Sequence, residues 1–109
     1  MNVYDCGNDL AKAIRESHEF KKLKEAKSAL DPQGKELTDK FLRLNMEAQM
    51  AQAQGKEPEK SVTDEIQNIY KVLALNSAAM DYLNSFMRFN MMMNDVMKNI
   101  ESVVKEVTE

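Results

Sequence analysis

The 109-residue sequence predicts an all-α fold, an antiparallel bundle of about five helices, two short and three long, that associates into oligomers. Three observations lead there. An apolar seam steps alternately three and four residues through Ala79, Tyr82, Phe86, Phe89, Met93, Val96, Ile100, Val103 and Val107, a spacing that keeps side chains on one side of a helix. Two prolines and three glycines leave long stretches of Ala, Leu, Met, Glu, Lys and Gln. These are good helix formers, and β-branched and aromatic residues are too sparse for a sheet. Start and stop signals then divide the chain into five pieces. The length fits a single domain, residues 1–109, able to bury roughly two thirds of the surface its unfolded form exposes.

The first helix is expected from about Val3 to Glu16, with Val3, Gly7, Leu10 and Ile14 on one face. Ser17 has a hydroxyl that can take a free backbone N–H and precedes a new pattern of Phe20, Leu23 and Leu30, so it reads as the N-cap of a second short helix. Asp31-Pro32 is a strong restart, because Asp caps the unpaired N–H groups and Pro in the first turn forfeits no hydrogen bond. The third helix should run from there to about Gln54. Gly55 and Pro58 end it in an exposed turn. Ser61 with Asp64 three residues on resembles a capping box for a fourth helix that carries Val62, Ile66, Ile69 and Leu73. Asn76-Ser77 breaks that helix, and the long fifth helix follows.

Two of these helices have more apolar surface than one neighbour can cover. On the third, Leu37, Phe41, Leu44, Ala48 and Ala51 form one stripe, and Leu42, Met46, Met50 and Ala53 lie on the opposite face. On the fifth, six of the nine methionines fall between Met80 and Met97, and Met80, Met87 and Met91 lie to one side of the seam. Two faces need two partners. The expected oligomer or partner interface is therefore Leu42, Met46, Met50, Met80, Phe86, Met87, Phe89 and Met91, with the chain's first partner a second copy of itself. Methionine suits such a surface because its flexible, polarizable side chain repacks readily.

Chemistry-bearing patterns are few. Met87 with Met91 and Met93 with Met97 have i,i+4 spacing, but consecutive Met91, Met92 and Met93 point in three directions, which disfavours a copper(I) site. His18 is the sole histidine and Cys6 the sole cysteine. One thiol excludes an internal disulfide and suits a reducing cytoplasm. No Ser/His/Asp set, phosphate loop or HExxH pattern occurs, so a non-enzymatic protein without cofactor or metal is expected. The charge of −3 is mild. Lys12, Arg15, Lys21, Lys22, Lys24 and Lys27 make the first two helices locally basic, and the competing reading is a direct RNA-binding subunit, or one that meets an acidic partner, through this patch. The N-terminus lacks a signal pattern and no run approaches a membrane span, so a cytoplasmic location is expected.

The residues Asp9-Leu10-Ala11-Lys12-Ala13-Ile14-Arg15-Glu16-Ser17, Glu19-Phe20-Lys21 and Leu23-Lys24-Glu25-Ala26 resemble the small helical YlbF/YmcA family of Gram-positive bacteria. The stretches Gln52 to Pro58, Arg88-Phe89-Asn90 and Asn94-Asp95-Val96 are most similar to its YheA-type branch. The resemblance spans nearly the whole chain and implies an oligomeric cytoplasmic regulator. YlbF and YmcA associate with a third protein, YaaT, and influence ribonuclease Y-dependent RNA processing, so other family members or a ribonuclease-associated complex are implied partners. Members of that complex are linked to iron–sulfur clusters, a ligand set that Cys6 alone does not supply.

Overall fold

The computed structural model describes residues 1–109, in five helices and no strand: α1 (Val3–Glu16), α2 (His18–Ser28), α3 (Pro32–Ala53), α4 (Lys60–Leu73) and α5 (Ser77–Thr108). Their ends follow local chemistry. Asn2 caps α1, its side chain accepting from the N–H groups of Tyr4 and Asp5. Ser17 closes α1 and opens α2: its hydroxyl donates to the Ile14 carbonyl at 2.6 Å and accepts from the Phe20 N–H at 3.2 Å. The Asp31 carboxylate accepts from the Gly34 N–H at 2.6 Å. Gly55, at φ +75°, ends α3, with the Gly55 N–H on the Gln52 carbonyl and the Lys56 N–H on that of Ala51. This paired closure needs a left-handed residue, which glycine adopts without steric cost.

The expected capping box at Ser61 and Asp64 does not form. Lys60 already lies in α4, and Glu59 occupies the cap position with no side-chain bond. The Glu59 carbonyl accepts from Val62 and Thr63, so the helix has begun before Ser61 can cap it. The true cap of α5 is Asn76, whose side-chain oxygen accepts from the Ala79 N–H at 3.1 Å.

The chain divides into two compact units. In the first, Ala26–Leu83, α3 and α4 form an antiparallel hairpin joined by the first turns of α5. The α3 stripe meets the α4 stripe, with Phe41 against Tyr70 at 6.0 Å between ring centroids. Leu44, Ile69, Leu73 and Ala79 form the core, and Leu30, Leu37, Phe41, Val62, Ile66 and Leu83 pack around it. Leu73 is 1% exposed. Thr38 is buried with its hydroxyl donating to the Lys35 carbonyl, which removes the penalty of burying a lone polar group. Burial, and secondarily the Asp39 carboxylate, raises the Tyr82 hydroxyl above its ordinary pKa of 10.0. The Lys40–Glu65 salt bridge, 2.6 Å long, is well exposed and adds little.

At the start of this unit the caps of α3 and α5 converge on buried Gly34. A Cβ there would stand 2.9 Å from Asp31 Oδ1 and 3.4 Å from Asn76 Nδ2.

The second unit comprises Met1–Glu25 and Asn84–Glu109. Phe20 of α2 lies against Phe89 of α5, with centroids 6.1 Å apart. None of the fully buried apolar residues belongs to this unit. The α5 seam accordingly fades along its length: Ala79 and Tyr82 are buried, Phe86, Phe89, Met93 and Val96 half-buried, and Ile100, Val103 and Val107 exposed. No helix is long and apolar enough to cross a membrane.

Candidate interaction surface

Leu42, Met46 and Met50 follow one another at i,i+4 along α3, on the face turned away from the Leu37–Phe41–Leu44 stripe. Leu42 is half-buried, while Met46 and Met50 are each more than half exposed. On α5, Met87 and Met91 repeat the pattern one turn apart, and both are again more than half exposed. Met80, Phe86 and Phe89 are half-buried. Phe89 is engaged with Phe20, and Phe86 also has a contact of its own within the chain. The eight residues thus separate into two kinds. Met46, Met50, Met87 and Met91 present free thioether side chains to solvent, and the others mix intrachain packing with partial exposure.

Beside Met91 an open groove of about 510 Å³ runs between α2 and α5, lined by His18, Glu19, Lys22, Ser85, Arg88, Met91, Met92, Asp95 and Val96. Its lining sets both signs of charge beside two methionines and a valine. In the sequence His18 lies far from Arg88 and Asp95. The groove shared by α2 and α5 brings them to one place. Arg88 has no ion-pair partner within the chain. Nowhere do three His, Cys, Asp or Glu side chains converge as metal ligands do.

The basic residues Lys12, Arg15, Lys21, Lys22, Lys24 and Lys27 are all exposed. They do not form one stripe. At about 100° per residue, Lys21, Lys24 and Lys27 fall on one side of α2 and Lys22 on another, with Glu25 and Glu19 on either side of Lys22, separating it from the other three. Lys24 Nζ lies 5.9 Å from the centre of the Phe20 ring, a cation–π contact that holds it against its own chain.

The scale of the uncovered surface is set by area. The chain exposes 8555 Å², whereas a folded monomer of 12.5 kDa exposes about 6,200 Å², a surplus of about 2,400 Å². A standard protein interface removes about 800 Å² from each partner, and obligate homodimers remove more.

A family model described as control of competence regulator ComK, YlbF/YmcA, matches residues 3–105. The chain is 33% identical over 105 residues to a UPF0342 protein of Caldicellulosiruptor saccharolyticus, covering 94% of this chain and 88% of that one. It is 32% identical over 110 residues to a UPF0342 protein of Desulfitobacterium hafniense, covering 98% and 88%. A UPF0342 protein of Limosilactobacillus reuteri is 28% identical over 109 residues, with 98% and 89% covered.

Proposed function

From its membership of the YlbF/YmcA family, to which this chain belongs over residues 3–105, we propose that it acts without catalysis, as a cytoplasmic regulator that works by protein contact and self-associates through α3 and α5. The observation that carries this reading is the pair of exposed methionine stripes, Met46–Met50 and Met87–Met91, on a chain with far more accessible surface than its mass requires. Apolar side chains in such numbers gain by leaving water. Thioether side chains also tolerate more than one facing surface, which suits a protein that meets itself and then a further partner. The further partner we propose is another family member or a ribonuclease Y-associated complex, with RNA processing as the process regulated; the family resemblance supports this reading.

Light scattering at micromolar concentration tests the self-association, with a dimer or larger species expected and a monomer the contrary result. Met87→Asp should weaken assembly by about tenfold or more, since it strands a charge in an apolar contact. Lys22→Asp should leave it nearly unchanged. Equal tolerance of both substitutions removes α5 from the interface. Direct RNA binding is the weaker reading, because the lysines of α2 are interleaved with carboxylates. It predicts an RNA shift at low salt that is lost on reversing Lys21 and Lys22.

A further inference from the structure

Resting on the self-association proposed above, we infer that a second copy of this chain covers α1 and the tail of α5, the α1 of each copy seating on the Val96–Val107 segment of the other. Both faces are apolar and neither is fully covered by its own chain: Ala11, Ile14 and Val96 are half-buried, and the remaining apolar residues of the two faces are exposed. Along α1, Val3, Gly7, Leu10 and Ile14 share a face with Tyr4 and Ala11, and Val3 and Tyr4 are each 83% exposed. Along the α5 tail the seam residues Ile100, Val103 and Val107 are flanked by Met97 and Val104, and all five are exposed. The flanking pair widens the stripe beyond what one line of contact needs.

The two faces match in size. At 1.5 Å per residue, the 14 residues of α1 span about 21 Å, and residues 96–107 span about 18 Å. Their exposed side chains together offer area on the order of the 800 Å² that each partner gives to a standard interface. Gly7, in the middle of the α1 face, supplies an independent sign. A Cβ there would meet nothing within 4 Å, so the chain's own packing does not require glycine at a helical position where glycine is unfavourable. A helix laid across that face can approach the backbone closely. Two matching faces on one chain allow the contact to be reciprocal between two copies related by a two-fold axis. The surplus of about 2,400 Å² per chain is of the size that an obligate homodimer buries.

The test uses the full-length chain. Leu10→Asp and Val103→Asp change exposed positions, and each should raise the dissociation constant measured by sedimentation about tenfold or more. Isotopically light and heavy chains, mixed by unfolding and refolding and then treated with a carbodiimide, should yield light–heavy links between α1 and the Lys98–Lys105 stretch. Unchanged association in both variants, with dissociation by Met87→Asp, overturns this inference and leaves the proposed self-association standing. Links confined to single chains do the same. A monomeric parent chain overturns both. Should either variant lose its helicity, the isotope pattern of the links in the parent chain decides.

Discussion

Gly34 carries more constraint than its size suggests. Replacing a helical glycine by alanine ordinarily gains up to about 1 kcal/mol. At Gly34 the new Cβ stands against the Asp31 oxygen that caps α3 and near the Asn76 amide that belongs to the cap of α5. Losing a cap costs about 1 kcal/mol, which offsets that gain, so Gly34→Ala is expected to bring no net gain in stability, read from the urea midpoint. A more stable variant would show that the caps give way freely. The caps themselves were legible where a residue acts on its own neighbours: Ser17, Asp31 and Gly55 each announce a boundary within a few positions. Gly34 and Thr38 were not, because their burial depends on helices distant in sequence. The same holds for Tyr82: its seam position was visible, but the burial and the Asp39 carboxylate that raise its pKa are tertiary facts.

At the scale of elements, the α3–α4 hairpin and the start of α5 hold the chain's core, and neighbouring positions on α4 should report it. Leu73→Ala removes a fully buried side chain and should cost about 2–5 kcal/mol. Val72, one residue earlier, is half exposed, and Val72→Ala should stay within about 0.5 kcal/mol. Denaturant titration of the two variants checks the contrast, and equal costs would contradict the assigned face of α4. Helix type and order were readable because the apolar periods are long and the breakers few. The α4 cap was misread because Ser61-x-x-Asp64 satisfies the pattern while Glu59 already holds the backbone position that a cap needs. The seam of α5 was visible as a seam, but periodicity says only that a face is apolar. It does not say whether the chain's own helices reach it, and from Ile100 onward they do not.

For the whole molecule, exposed area ties folding to association. The unit containing both chain ends includes none of the fully buried apolar residues, so cover supplied by a second copy adds directly to its stability. By mass action Tm should then rise with protein concentration, and dilution by about a hundredfold should lower it by several degrees. A Tm independent of concentration would count against association at these concentrations. The identity of the outward-facing residues has a chemical consequence too. Met46, Met50, Met87 and Met91 lie open to solvent, and oxidation to the sulfoxide turns each flexible apolar side chain polar. In the proposed assembly those sulfurs are shielded. Oxidants therefore strike the unassembled chain first and, by making its contact faces polar, hold it apart until the sulfoxides are reduced.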